Sequence, residues 1–193
     1  MMDLRQILSL GRKRLGIVIG AGAPLALSTS SGSGPLIPAI DGLTKQVLKK
    51  LNVEQLKVIE TMKVELGENP NIEKILSRVR SIAALIGSNK FYDKDKAYFD
   101  LLAKDICQEI GLIVSARLPE NKNAYTELIA WVGGTASEHP VEIFTPNYDL
   151  LMEEAFERAQ IPYYDGFSGS FEPFFDPATI SNDNLPSNWT RLW

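Results

Sequence analysis

A chain of 193 residues is the size of one domain and long enough to bury roughly 70% of the surface its unfolded form exposes. With 45% hydrophobic and 23% charged residues it has the composition of an ordered globular protein, which excludes a disordered chain. A net charge of −4 gives no electrostatic basis for nucleic-acid binding, and one cysteine, Cys107, excludes a disulfide or a cysteine zinc site within a single chain.

The chain opens with Leu4, Ile7, Leu8 and Leu10 among Arg and Gln, a helical spacing that predicts a helix ahead of the first strand. Arg12-Lys13-Arg14 is read as the solvated end of that helix, the other reading being a phosphate contact. Residues 1 to 14 lack the apolar core and small-residue cleavage site of a secretory leader, and no stretch reaches the ~18 apolar residues of a membrane helix. A cytoplasmic protein without membrane contact is therefore expected.

A strand is predicted over 15–19, running into the small-residue turn Gly20-Ala21-Gly22-Ala23. The polar run Ser28 to Gly34 that follows reads as a mobile loop over a site. From Asp41 to about Gly134 the pattern is helical, with segments near 41–51, 53–66, 72–87, 93–117 and 122–133. Asn52 and Asn71 are expected to cap the second and third, and Pro119 to end the fourth. Strand signal returns at Val141–Thr145, followed by a helix from Tyr148 to about Ala159 and a strand at Ile161–Tyr164, which is β-α-β order. Asp165–Trp193 has little periodicity. Phe167, Phe171, Phe174 and Phe175 are expected to pack beneath it as a long loop. The class is α/β: a Rossmann-like parallel sheet built from 1–40 and 135–193, with 41–134 as a large helical insertion.

Two strand ends carry the chemistry. Ligands of open α/β sheets bind outside the carboxyl ends of the strands. A turn of small residues after a buried strand lets a phosphate approach the backbone N–H groups. Gly20-Ala21-Gly22 is such a turn, with tight internal packing as the competing explanation of its glycines. It is not the dinucleotide fingerprint, because Leu25 stands where a third glycine would be required, and no Gly-Lys-Ser/Thr follows to make a Walker loop. At the second strand end Asn147 can hold a ribose hydroxyl or a water, or it can cap the helix expected from Tyr148; Asp149 can accept from an amide NH2.

The strand with its G-A-G-A turn, the later Thr145-Pro146-Asn147-Tyr148-Asp149 with Leu150-Leu151-Met152-Glu153-Glu154-Ala155, and Ile161 to Gly169 resemble the sirtuin-like superfamily, in particular its NAD-consuming prokaryotic antiphage branch. The order of elements matches over nearly the whole chain, and the specific matches lie at 16–23 and 143–169. The resemblance implies that Gly20, Ala21, Gly22 and Ala23 wrap the pyrophosphate of NAD. Asn147 is implied as the catalytic residue, ordering the nicotinamide ribose or the attacking water, with Asp149 on the carboxamide and Thr145 lining the pocket. It implies NAD as substrate, no metal, and partners of three kinds: further copies of the chain, an ATPase, or an Argonaute-like sensor.

Two departures qualify the match. Pro24 stands where family members often carry Ser, which removes a hydroxyl and stiffens the turn. The family's catalytic histidine lies in an L-H-G segment after a Trp-containing strand, and this sequence reaches Trp193 where that strand would begin. The expected reading is an amino-terminal portion of an NAD hydrolase, with the sheet incomplete at its carboxyl end; the alternative is a binding or oligomerisation module without chemistry. His139 stands ahead of the Asn147 strand and is expected as a solvent-facing loop residue. A protein-deacylating activity ranks last, because the four-cysteine zinc module of those sirtuins cannot be built from Cys107 alone.

Overall fold

The computed structural model of the protein describes residues 14–29, 32, 34–67, 69–134, 139–180 and 189–193. The helix expected over Leu4–Leu10, together with Arg12 and Lys13, lies outside them. The chain divides into two compact units, one of Pro35–Ala116 and one of Met1–Gly34 with Arg117–Trp193.

The first of these units is all helical: α1 (Ile40–Leu48), α2 (Val53–Leu66), α3 (Ile72–Leu85) and α4 (Lys96–Val114). Its boundaries are set by short polar side chains. Asn52 accepts the Gln55 N–H (2.9 Å) while the Gln55 side chain accepts the Asn52 N–H (3.0 Å), a reciprocal capping box that starts α2. Asn71 accepts from Lys74 (3.0 Å) and starts α3, and Asp95 accepts from Tyr98 (3.0 Å) and starts α4. Gly67, at φ +95°, supplies the backbone conformation that stops α2. Pro119 does not end α4 as expected. The helix stops at Val114, and Ser115, whose hydroxyl donates to the Leu112 carbonyl (3.0 Å), closes it.

Helical spacing puts Ile72, Ile75, Val79 and Ile82 on one face of α3, where all four are buried against Val47, Ile59, Met62, Phe99, Leu102 and Ile106. Two buried polar side chains of this unit are paired across helices. Gln55 donates to Asp105 (2.7 Å), and the Thr44 hydroxyl accepts the Ile72 N–H (2.9 Å) while donating to the Ile40 carbonyl (2.7 Å).

The second unit is α/β. Its strands and helices are β1 (Gly16–Val18), α5 (Ala124–Gly134), β2 (Glu142–Phe144), α6 (Leu151–Ala159), β3 (Tyr163–Tyr164), β4 (Phe167–Ser168), β5 (Phe174–Phe175), α7 (Pro177–Ile180) and β6 (Thr190–Leu192). Four of the strands make a parallel sheet in the order β1-β2-β6-β3, with Ile17, Ile143 and Leu192 aligned in one row. In that row Ile143 and Leu192 are buried and Ile17 is half-buried; Tyr125, Ile129, Leu151 and Phe156 on α5 and α6 are buried too, and the Phe156 ring stacks on Tyr163 (5.0 Å between centroids). On the opposite face Glu142 pairs with Arg191 on the neighbouring strand (2.9 Å).

The helix expected over 122–133 is found as α5, and it belongs with the sheet, so the purely helical unit runs from 35 to 116 instead of from 41 to 134. Asp165–Trp193 is not one long loop. Phe167–Ser168 and Phe174–Phe175 form an antiparallel ribbon, and Thr190–Leu192 enters the middle of the sheet. The four phenylalanines do not pack beneath a loop: Phe167, Phe171, Phe174 and Phe175 are all more than half exposed.

One polar anchor ties the segment after Arg117 to α6. Buried Glu154 accepts from the Leu118 N–H (2.9 Å), from Arg117 (2.9 Å) and from Arg158 (2.6 Å), and Arg158 also donates to the carbonyls of Leu118 (2.7 Å) and Pro119 (2.8 Å). Burial alone would push the Glu154 carboxyl up, and the Leu118 N–H and the two guanidinium groups outweigh it and hold it below the ordinary carboxylate range. No helix among the described residues is long and apolar enough to cross a membrane.

Candidate functional site

Because the sheet is parallel, the segments following β1, β2, β3 and β6 all emerge at one edge. The two sequence motifs meet there. The Ile19 N–H donates to the Phe144 carbonyl (2.8 Å), extending the β1–β2 pairing by one step, and beyond it Asn147 Nδ2 donates to the carbonyl of Gly20 (3.3 Å). Thr145, whose N–H donates to the Trp193 carbonyl (2.6 Å), accepts the Asn147 N–H on its hydroxyl (3.1 Å). That turn presents the Asn147 side chain to the glycine segment.

The Gly20–Ala23 turn is closed by the Ala23 N–H on the Gly20 carbonyl (3.0 Å) and runs into a single 3-10 turn, Pro24–Ala26, too short to contribute the dipole of a long helix. Gly20, Ala21 and Gly22 are exposed, Ala23 is half-buried and Pro24 is buried. A Cβ built on Gly20 or on Gly22 would meet no described atom within 4 Å, and neither residue has a positive φ. Tight internal packing therefore does not account for these glycines, nor does a left-handed turn. Of the loop that follows, Ser30, Ser31 and Ser33 lie outside the described residues. Its base is held by the Thr29 N–H on the Gly34 carbonyl (3.0 Å), and Gly32, at φ +66°, donates to the Thr29 carbonyl (2.8 Å).

Asn147 is not a helix cap. α6 starts at Leu151, three residues later than the expected Tyr148, because Asp149 Oδ1 accepts the Leu151 N–H (3.2 Å) and turns the chain first. The Asn147 amide donates to Gly20, and its Oδ1 is buried without a hydrogen-bond partner. Asp149 is buried. Loss of solvent pushes its carboxyl up, and hydrogen bonds from the Leu151 N–H, its own N–H and the Asn147 amide offset part of that rise.

Two further side chains belong to this group and were not singled out in the sequence. Tyr125, on α5, is 4% exposed with no hydrogen-bond partner for its hydroxyl; burial and then the charge of Asp149 push its pKa up. Glu153 stands one helical turn after Asp149, and its Oε2 is buried and unpartnered. Burial raises its pKa, its own backbone N–H opposes the rise, and Asp149, Asp165 and Glu157 add to it. The four-residue spacing from Asp149 could have suggested Glu153, whereas Tyr125 is brought in from another helix.

His139 is half-buried and precedes β2, so it lies at the end of the sheet opposite Asn147. Among the described residues no group of three His, Cys, Asp or Glu side chains is arranged to hold a metal ion. No protein-family model matches the chain, and no curated protein matches it.

Proposed function

We propose that this chain is the NAD+-binding domain of a cytoplasmic sirtuin-like NAD+ glycohydrolase, built on a Rossmann-like sheet and serving in antiphage defence. The observation that carries this reading is the Asn147–Gly20 hydrogen bond, which brings the two motifs of the resemblance together at adjacent strand ends. A second supports it: among the described residues nothing gives Gly20 and Gly22 a steric reason to be glycine, and a phosphate resting on the backbone supplies one.

The chemistry follows from the bond to be broken. Water adds to the anomeric carbon of the nicotinamide ribose, the C–N bond breaks, nicotinamide leaves with the bonding electrons as a neutral molecule, and one proton goes to solvent. The leaving group needs no acid, so the site's task is to hold the ribose and stabilise an oxocarbenium-like transition state. The Gly20–Ala23 turn positions the pyrophosphate, Asn147 orders the ribose or the water, Thr145 sets Asn147, and Asp149 takes the carboxamide. Assembly with further copies, an ATPase or an Argonaute-like sensor belongs to the same reading.

A second reading, an NAD- or ADP-ribose-binding module without turnover, is favoured by the position of His139, too far along β2 to act as a base beside Asn147. Calorimetric titration with NAD+ and ADP-ribose, paired with a chromatographic assay for released nicotinamide, separates the two. Saturable binding with nicotinamide release supports the hydrolase, binding alone supports the module, and absence of binding sinks both.

A further inference from the structure

The helical unit holds a cavity of about 440 Å³ that the NAD reading leaves unused. Its polar lining comes from three places: Asp41, Thr44 and Lys45 on α1, Lys63 on α2, and Asn69 and Asn71 in the turn that leads into α3. Spacings of three and four residues put Asp41, Thr44 and Lys45 on one face of α1. The frame is fixed. The Thr44 hydroxyl accepts the Ile72 N–H (2.9 Å) and donates to the Ile40 carbonyl (2.7 Å), which ties α1 to the first residue of α3.

The lining is rich in unspent donors. Among the described residues Lys45 forms no ion pair and the Asn69 amide makes no hydrogen bond. Asn71 uses its Oδ1 on the Lys74 N–H (3.0 Å) and keeps its amide hydrogens. Lys63 is half-buried and reaches Glu60 one turn back (2.5 Å), which occupies one of its donors. Ammonium groups from two helices therefore share one cavity, and the carboxylate in its lining is that of Asp41. Like charges held together destabilise the folded chain, and an anion between them offsets that. The positive end of the α3 dipole acts in the same sense.

A phosphate monoester has the matching chemistry. It is close to dianionic at neutral pH and offers three acceptor oxygens to the lysines and amides. Asp41, which only accepts, then calls for a donor on the rest of the molecule, and a hydroxyl supplies it. The volume leaves room for such a molecule, since small-molecule sites span about 300–1,000 Å³. We propose that this cavity binds a small phosphorylated, hydroxyl-bearing molecule of the sugar-phosphate class, with Lys45, Lys63, Asn69 and Asn71 on the phosphate and Asp41 on a hydroxyl. All of these residues lie within Pro35–Ala116, so the site stands whether or not the chain binds NAD+.

The test titrates ribose 5-phosphate, inorganic phosphate and ribose into the full chain, followed by protein-detected NMR. Ribose 5-phosphate saturates, with shifts centred on Thr44, Lys45, Asn69 and Asn71. Inorganic phosphate binds about threefold more weakly, the worth of one partly exposed hydrogen bond, and ribose does not bind. Lys45→Gln and Lys63→Gln each weaken both phosphates about tenfold, as expected for the loss of one charge-assisted hydrogen bond. Lys49→Gln, just past α1 and outside the lining, leaves both unchanged. Asp41→Asn tightens inorganic phosphate by removing a like charge and abolishes the preference for the sugar. Lys45 is exposed, so its variant keeps the fold, checked by a thermal melt. Absence of saturation, shifts confined to Gly20–Ala23 and Asn147, equal affinities of ribose and its phosphate or of the two phosphates, or equal losses in Lys45→Gln and Lys49→Gln overturn the proposal.

Discussion

Asn147 Nδ2 donates to the carbonyl oxygen of Gly20 over 3.3 Å, joining residues 127 positions apart in sequence beyond the ends of two neighbouring parallel strands. The bond is exposed, so its loss is mild for the fold and severe for any ligand shared by the two segments. Asn147→Ala is expected to cost about 1 kcal/mol of stability, the ordinary net worth of one hydrogen bond. The same variant weakens NAD+ binding by about tenfold or more, read by calorimetry against a thermal melt of the same sample.

Gly20 and Gly22 give the reverse contrast. No described atom lies within 4 Å of a Cβ built on either, and neither backbone is left-handed. Gly20→Ala and Gly22→Ala are therefore expected to leave stability unchanged or raise it by about 0.4–1 kcal/mol through the unfolded chain. Each adds a methyl group where the pyrophosphate is proposed to lie, and NAD+ affinity is expected to fall. If both variants bind NAD+ like the wild type, the turn does not hold the phosphates.

The parts of this fold that were legible in the sequence are those whose cause is local. Asn52 and Asn71 announce their helices because the cap and its target are three residues apart, and the two apolar runs ending at Gly20 and Thr145 announce their strands by composition. Where the partner is distant the signal fails. Asn147 has the look of a cap, and it is Gly20 that claims its amide. Thr190-Arg191-Leu192 has an arginine where a central strand would be expected to be apolar, and its ion pair with Glu142 on the neighbouring strand is not visible from local sequence. Tyr125 joins the site from α5 without any spacing to betray it.

The adjacent glutamates predict opposite effects of the same substitution. Glu154→Gln removes a charged acceptor from the Leu118 N–H and two arginines, and is expected to cost about 2 kcal/mol. Glu153→Gln relieves a buried like-charge contact and is expected to raise the melting temperature at pH 7.

The pH dependence has two limbs of opposite sign. The Glu154 carboxyl is held below its unfolded value, so its contribution is present above about pH 4.3 and is lost as pH falls through its folded pKa. Asp149 and Glu153 are raised above theirs, so the folded state binds the extra proton and stability falls as pH rises above about 4 through their folded values. Urea titrations between pH 3 and 7 should show Glu154→Gln flattening the acid side. Asp149→Asn and Glu153→Gln should remove the decline on the higher side.

Burial separates the two outer parts of the last segment. Leu192 is 3% exposed in the middle of the sheet, and Leu192→Ala is expected to cost about 2–5 kcal/mol. Phe174 is 60% exposed on the ribbon, and Phe174→Ala should shift the urea midpoint little.

The place of β6 also fixes a timetable. The buried cluster of the helical unit lies within one continuous stretch, Pro35–Ala116, so that core can close while the chain is still being synthesised. The sheet cannot. Among the described residues β3 pairs with β6 alone, and β6 is the wedge between β3 and β2, so a nascent chain that has reached Tyr164 holds a two-strand fragment and one orphan strand until Leu192 clears the ribosome. The edge that gathers Gly20, Asn147 and Asp149 is thus finished last, and the two halves of one polypeptide mature on different clocks.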